Sequence, residues 1–468
     1  MNVTAQSLVP WCRTLLGVDP PPHDSLEDYL SAIPRLDTLA DLPGGTRVLV
    51  RGDVDAKPGA RVGEGDVRLR SMVETLEWGR QRGWVQVIFG HIGRKPEGSL
   101  DKVAARLGEL LGDSVELVRD WLDPESLEVT SAAADRVTAA SPGTVLVLEN
   151  TRRYEIERVL WNAGADDLPR LSESLSRFSS ELAAKVGDVY VNEALSAGSL
   201  DTSTTVVPAA MRRVALGRYV AREFDGPLRR CLRTQLVVFS GLKIDKLDDL
   251  EAMIARGTIR LVIAAGSLAM ALKKAQAQLD GGDFALGVAE EPEHRDKPYF
   301  IPPERIAQAR GMIEQGRASG VEFVLPVDFV LADGSTSAAI GPGQQQLDVG
   351  PQTSALLEQI VGRFIEEVRR HPPSGGQAAV AFYNGVFGKF EDPQFEEGTR
   401  RFIPQLKRMK DAGIEVYVGG GEGGTALEKY GQDDWVTHTF TAGGTVLNAL
   451  GGKPVPYLLA LEMAARGG

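Results

Sequence analysis

From Thr46 onward the chain alternates short apolar runs with amphipathic stretches, and this alternation restricts the fold more than any other feature. TRVLVRGD, VQVIFGH, SVELVRD, TVLVLEN and DVYVNEA read as strands, with helical patterns over 70–82 and 101–111 between the early ones. Strand alternating with helix means a parallel sheet covered on both faces. After a helical stretch from Tyr219 to Leu232 the alternation resumes with QLVVFSG, RLVIAAG, EFVLPVD, AVAFYNG, EVYVGGG and THTFTAGG. The expected class is therefore α/β, with two doubly wound parallel-sheet, Rossmann-like lobes joined by a hinge helix.

The boundaries follow from the same reading. Residues 1–43 form an N-terminal extension holding Pro20, Pro21, Pro22, Pro34 and Pro43 and a short helical pattern from Ser25 to Ile33. Residues 44–220 make the first α/β domain, 221–233 the hinge helix, 234–445 the second α/β domain, and 446–468 a loop and helix expected to return towards the first domain. A chain of 468 residues is too long for one ordinary core, and its 43% apolar content is ample for two. The formal charge of −12 argues against a nucleic-acid or anionic-membrane partner. Cys12 and Cys231 lie far apart and give neither a disulfide framework nor a metal spacing, which suits a reducing cytoplasm. The N-terminus lacks a signal-like pattern and no run approaches ~18 apolar residues, so a soluble cytoplasmic protein is expected.

Open α/β sheets bind ligands beyond the C-terminal ends of their strands. In the first half those ends carry Arg51, Asp53 and Asp55, then His91 and Arg94, then Glu149, Asn150, Arg152 and Arg153, then Asn192 and Glu193, with Arg68 just ahead of the first helix. Arginines converging on one rim of an acidic protein suit a small, strongly anionic ligand, because the guanidinium fork grips carboxylate or phosphate at two points. In the second half the ends carry Ser240, Gly241 and Lys243, then Gly266 and Ser267, then Asn384 and Gly385, then Gly419 to Gly424, then Gly443 and Gly444. Glycines beside a few lysines suit a nucleotide.

The stretch IEVYVGGGEGGTALEKYG, from Ile414 to Gly431, reads as a strand, a glycine turn and a helix beginning near Thr425. Such a turn is an anion site, since free N–H groups of the first helical turn meet a phosphate. Glu422 inside it is tolerable beside a polyphosphate only with a cation between them, magnesium being the usual one. Gly419, Gly421 and Gly424 also satisfy a GxGxxG pattern, with Asp433 or Asp434 beyond, so a dinucleotide fold competes. That fingerprint normally opens its βαβ unit, whereas only about one more strand follows here.

A basic rim on one sheet and a glycine-lysine rim on another describe a bilobal phosphotransferase, with acceptor on one lobe, nucleotide on the other, and closure bringing them together. Arg68 and Lys243 are the candidates to hold the transferring phosphoryl group, and Glu422 the magnesium. No GxxxxGK[ST] and no protein-kinase HRD set is present.

In family order, the motifs resemble those of phosphoglycerate kinases. RVLVRGDVDAKPG is similar to RVDFNVP, GDVRLR to DTRIR, HIGRKPEGSL to the HLGRP segment with one inserted residue, LENTRRYE to LENVRFY, and DVYVNEA to DVYVNDAF. Further on, FSGLKIDKLDDLE resembles GGAKVSDKI, LPVDFVLAD resembles LPVDVVVAD, DVGPQT resembles DIGPKT, FYNGVFGKFE resembles VWNGPMGVFE, and GGGEGGTALEKYG resembles GGGDSAAAVEKFG. The likeness runs from about Arg47 to Leu450. It implies that Asp53, Arg68, His91, Arg94 and Arg152 hold the acceptor, with Arg51 and Asp55 beside them on the same strand end. It implies that Lys243, Lys246, Asn384, Glu391 and the turn Gly420, Gly421, Glu422 and Gly423 hold the nucleotide. The activity implied is reversible phosphoryl transfer between ATP/ADP and the carboxyl of 3-phosphoglycerate, with magnesium, by a monomer that closes at its hinge.

Several positions depart from that pattern. The segment GTAHRAHAS stands here as SAGSLDTST, so Ser199 and Leu200 replace a histidine and an arginine, forfeiting a charged hydrogen bond of ~1.5–3 kcal/mol. Asp55 replaces an asparagine, adding repulsion of about 1–4 kcal/mol towards an anion ~4 Å away. Lys243 and Lys246 stand three apart instead of four, a glycine triplet has become Ala264, Ala265 and Gly266, and Glu422 replaces an aspartate. Three readings remain: a phosphoglycerate kinase with a rebuilt phosphate pocket, with Arg153 or Lys95 in place of the missing arginine; a kinase for another carboxylic acid, such as one whose amine pairs with Asp55; and a non-catalytic nucleotide-binding relative.

Overall fold

The computed structural model describes residues 3–19 and 25–467; Pro20, Pro21 and Pro22 lie outside the described residues. The chain divides into two compact units, one of residues up to Asp225 together with those from Pro454 on, the other of Gly226–Lys453.

The first unit is built on six strands, β1 (Arg47–Gly52), β2 (Val85–Phe89), β3 (Glu116–Val118), β4 (Val145–Leu148), β5 (Val189–Glu193) and β6 (Arg213–Leu216), in the order β3-β4-β2-β1-β5-β6. All five pairings are parallel. The β-branched and leucine runs of β1, β2, β4 and β5 are buried throughout, as expected of strands covered on both faces. On one face Leu69, Met72, Leu76, Leu100, Val103 and Leu107, from helices Val67–Gln81 and Asp101–Leu111 and the turn before the latter, pack onto Val48, Val50 and Ile88. From β1 the chain moves through β2 to the edge at β3 and back to β4 on one side, then crosses to β5 and β6 on the other, so the winding reverses between β1 and β5, where Arg51 pairs in register with Asn192. Ligand crevices of open sheets form at such a reversal.

The described part of the extension belongs to this unit. Helix Ala5–Leu15 starts with a reciprocal cap between Thr4 and Ser7, buries Leu8, Cys12 and Leu15, and is pinned by Trp11 Nε1 donating to the Thr205 carbonyl at 2.8 Å. Helix Pro456–Gly467 completes the unit, burying Tyr457, Leu458, Leu459 and Leu461, with Tyr457 edge-on to Phe224.

The second unit has its own six-stranded parallel sheet, β7 (Leu236–Phe239), β8 (Leu261–Ala264), β9 (Glu322–Val324), β13 (Val380–Asn384), β14 (Glu415–Gly419) and β15 (His438–Thr439), ordered β15-β14-β13-β7-β8-β9. Its reversal falls between β7 and β13. Beside it lies a small antiparallel sheet, β11-β10-β12, formed by β10 (Phe329–Leu331), β11 (Thr336–Ser337) and β12 (Gln346–Val349).

The structure corrects the sequence expectation at four places. EFVLPVD is not one strand: β9 ends before Pro326, which has no N–H for a ladder, and the chain re-enters the other sheet as β10. Strand β6, which the alternation did not reveal, adds an edge to the first sheet. The stretch 219–232 is helical but uneven: Arg218–Glu223 is α, Phe224–Leu228 widens to a π turn around Pro227, and Arg229–Cys231 is α again, because proline lacks the N–H of a regular turn and crowds the preceding carbonyl. Finally, the helix expected from Thr425 begins at Gly421, so the glycines form its first turn.

Candidate functional site

On the first unit, the C-terminal ends of β1, β2, β4 and β5 gather most of the predicted acceptor residues. Arg68 leaves the first turn of helix Val67–Gln81 and reaches back to β1, where its Nη1 donates to the Asp55 carbonyl at 2.8 Å and stands 3.3 Å from Asp55 Oδ2. Its Nε lies 3.7 Å from Asp53 Oδ1. Asp53 is buried; Oδ1 accepts from Ser196 Oγ at 2.7 Å, while Oδ2 has no donor. Asp55 accepts the Gly93 N–H at 2.9 Å. Burial works to raise the Asp55 pKa, but the Gly93 hydrogen bond and the charge of Arg68 prevail and hold it below the usual carboxylate range. Both Asp55 oxygens therefore already face donors of the chain, which leaves little for a ligand amine.

Arg152 sits in the turn after β4, positioned by Asn150, whose side chain accepts the Arg152 N–H. Its Nη1 donates to the Gly93 carbonyl at 2.7 Å, its Nη2 lies 3.1 and 3.3 Å from the two oxygens of Asp201, and its plane lies over Trp161 at 4.7 Å. Arg51 departs from the expectation of a ligand-facing group. It is 1% exposed, and its guanidinium is committed to the Gly52 carbonyl, Ser203 Oγ and His91 Nδ1 at 2.6, 3.2 and 2.8 Å. Since a guanidinium only donates, His91 Nδ1 accepts from it in the neutral ring, although Asp201 Oδ2 is also 3.1 Å from that nitrogen. Burial pulls the His91 pKa below its ordinary value; Asp201 opposes this and Arg51 adds to it. Arg94 and Lys95 are exposed and make neither a hydrogen bond nor an ion pair among the described residues.

Sequence reasoning missed the carboxylates that tie this cluster together. Asp201 is fully buried and takes Arg152 Nη2, the Trp161 indole N–H at 2.8 Å, and the His91 contact, with Arg51 Nη2 3.7 Å away. Burial acts against its charged form, yet His91, Arg152 and Arg51 outweigh it and keep the carboxyl well below its usual range. Glu157, also fully buried, accepts from Thr151 Oγ1, Ser203 Oγ and the Ser203 N–H at 2.9, 2.6 and 2.8 Å. Burial pushes it up to about 7, with Asp201 adding to the shift and Arg51 opposing it. His91, Glu157 and Asp201 offer ligand atoms within 4.8 Å of one another. The Arg51 guanidinium bonded to the His91 nitrogen marks the group as an ion-pair network and not a cation cage.

On the second unit, the strand ends carry glycines where backbone crowds backbone. Gly385, just past β13, has φ +100°, and a Cβ there would stand 2.1 Å from the Ser240 carbonyl oxygen. Gly420 caps helix Gly421–Tyr430 with φ +89°. That helix, Gly266–Leu279, Gly443–Leu450 and Lys246–Ala255 all start at this rim, and none has a side-chain N-cap. Uncapped first turns leave donors for an anion. A groove of about 250 Å³ is lined by Lys243, Lys246, Asn384, Gly385, Gly419–Gly423, Gly443 and Gly444. It meets, at Leu242 and Glu422, a cavity of about 580 Å³ walled by Met270, Leu286, Val288, Tyr299, Val386 and Phe387, with Glu391 at its lining. A larger hollow of about 990 Å³, lined by Lys274, Arg295, Lys297 and Arg310, contains none of the predicted residues.

Within the groove Asn384 Nδ2 donates to the Gly419 carbonyl at 2.7 Å and braces the turn. Lys246 Nζ donates to the Ser240 carbonyl at 2.8 Å; burial lowers its pKa, and Glu422 opposes the shift. Lys243 and Glu422 are exposed and have no hydrogen-bonded partner among the described residues. A carboxylate without a hydrogen-bonded partner among the described residues, beside uncapped helix starts, fits magnesium, which takes one or two carboxylates and completes its shell with phosphate oxygens and water.

The family model described as Phosphoglycerate kinase matches residues 39–453. The chain is 29% identical to the cytosolic phosphoglycerate kinase of Triticum aestivum, covering 91% of this chain and 97% of that one, and 30% identical to the phosphoglycerate kinase of Chloroherpeton thalassium, covering 90% and 97%. Among solved structures, phosphoglycerate kinase from Pyrococcus horikoshii superposes with a TM-score of 0.68 at 21% identity over 93% of this chain and all of that one. The enzyme from Coxiella burnetii gives 0.64 at 23% identity over 91% and 99%; at such identities the likeness speaks for the fold. A family match spanning nearly the whole chain, on two parallel sheets of this order, establishes that the protein belongs to the phosphoglycerate kinase family.

Proposed function

We propose that the protein is a kinase that transfers a phosphoryl group reversibly between ATP/ADP and a carboxylate, forming an acyl phosphate. 3-Phosphoglycerate and 1,3-bisphosphoglycerate are the pair to which the family points. The observation that carries this reading is the groove in which three uncapped helix starts, Lys243, Lys246 and Glu422 meet, beside a largely apolar cavity lined by the fourth helix start at Gly266, a shape and charge suited to a nucleoside polyphosphate. Lys243 and Arg68 are proposed to neutralise the group in flight, Asn384 and Gly420–Gly423 to hold the phosphates, and Glu391 to take the ribose edge. Asp53 Oδ2, a buried acceptor without a donor, is suited to an acceptor hydroxyl, with Arg94 and Arg152 nearby for its acidic groups. Magnesium bound at Glu422 would supply positive charge to the phosphate oxygens.

A kinase for a different carboxylic acid is the second reading, and the pairing of Asp201 with Arg152 favours it. A hydroxamate trap tests the activity: ATP, magnesium and 3-phosphoglycerate or another short acid, incubated with hydroxylamine, should yield hydroxamate in step with ADP. ATP binding without hydroxamate from any acid would point instead to a non-catalytic relative.

A further inference from the structure

The cationic half of the acceptor rim is neutralised from within. Arg152 and Arg51 lie 3.1 and 3.7 Å from Asp201 Oδ2, and all three side chains are at least nine-tenths buried. Arg68 stands against Asp53 and Asp55, and Arg153 lies 3.9 Å from Glu149. Arg94 and Lys95 thus face no carboxylate among the described residues.

A fully buried carboxylate that accepts from the Arg152 guanidinium and an indole N–H, with the Arg51 guanidinium 3.7 Å away and Trp161 against Arg152, occupies the geometry that an anionic ligand group would need. A phosphate entering there would have to displace Asp201 from its partners or lie beside an ionised carboxylate in a site of low dielectric. The neighbouring side chain, Leu200, offers no cation in exchange. We propose that Asp201 is a specificity-determining residue that stands in for the acceptor's second anionic group, so that the acid phosphorylated carries a carboxylate but no phosphate of its own. The inference rests on the carboxylate-kinase reading and narrows it. In the reaction a carboxylate oxygen attacks the γ-phosphorus of ATP, the bond from that phosphorus to the β-bridging oxygen breaks, and the electron pair leaves with ADP. No proton or redox partner is needed, and nothing in the step requires a second phosphate on the acid.

The test compares one acid with and without its phosphate on the full-length protein: D-glycerate against 3-phosphoglycerate, by calorimetric binding and by hydroxamate formation. For the wild type, 3-phosphoglycerate should bind no tighter than D-glycerate. Asp201→Asn keeps the shape and removes the charge, and should tighten 3-phosphoglycerate roughly tenfold or more, and by a larger factor than D-glycerate. A wild type that binds 3-phosphoglycerate more tightly than D-glycerate overturns the proposal, as does an Asp201→Asn protein whose affinity for 3-phosphoglycerate is unchanged or lower. Should the variant not fold, the wild-type ranking alone decides. Binding ranks are read without turnover, so failure of the kinase reading, seen as no hydroxamate from any acid, is distinguishable from failure of this one.

Discussion

Single side chains decide which charges the two rims leave available. Glu422 has no hydrogen-bonded partner among the described residues, so Glu422→Gln should raise the magnesium concentration for half-maximal ATP binding on the order of tenfold, the loss of one charged contact, read by titrating the metal at fixed ATP. Leu200→Arg is expected to act in the opposite sense on the acceptor, adding a cation beside the loop of Asp201 and raising kcat/KM for 3-phosphoglycerate, as steady-state kinetics would show. The candidate residues at strand ends were legible because their chemistry is local: Arg68, Arg152, Lys246 and Glu422 each follow or precede a strand in plain view. Asp201 was not, although an aspartate stands there where the similar GTAHRAHAS segment has alanine. Its meaning depends on contacts with Arg51, His91 and Arg152, which lie 150, 110 and 49 residues away in sequence. Arg51 was misjudged for the same reason: position on a rim does not reveal whether a guanidinium is already saturated.

At the level of elements, the alternation announced eleven of the strands; the central ones, buried on both faces, must be continuously apolar. One edge strand, β6, and the satellite strands escaped. Strand β6 has only Val214, Ala215 and Leu216 as an apolar run between Arg213 and Gly217, and β10–β12 mix polar residues with turns. Glycines proved more informative than composition suggested, above all where two strand ends meet. Gly385→Ala would force a Cβ against the Ser240 carbonyl at a φ of +100°, at a cost of about 2 kcal/mol or more. Its urea midpoint should fall, and ATP affinity should fall with it because the groove between β7 and β13 widens. A normal midpoint would show that the turn can re-form around the methyl group.

For the molecule as a whole, three buried carboxylates set how stability responds to pH. Glu157, Glu193 and Asp348 are each raised to about 7, chiefly by burial, from ordinary values of 4.5, 4.5 and 3.8. A raised carboxyl favours the folded state while protonated, so this contribution is complete below the unfolded pKa and is lost as pH climbs through about 7. Urea midpoints should therefore decline between pH 5 and 8. Glu193→Gln, which keeps bonds from Thr75 and the Tyr219 N–H within reach, should remove on the order of 3 kcal/mol of that decline. Deleting residues 454–468 strips Tyr457, Leu458, Leu459 and Leu461 from the first unit. At ~1.5–3 kcal/mol for each buried side chain the loss rivals a typical total stability, and circular dichroism of the truncated protein should show a collapsed or aggregated first unit. That dependence also has a temporal side. Residues 226–453 are contiguous and can reach their native structure without help from the rest of the chain, whereas the first unit must bring Pro454 onwards back to residues before Asp225, and that long loop closure makes the second unit the one able to mature first.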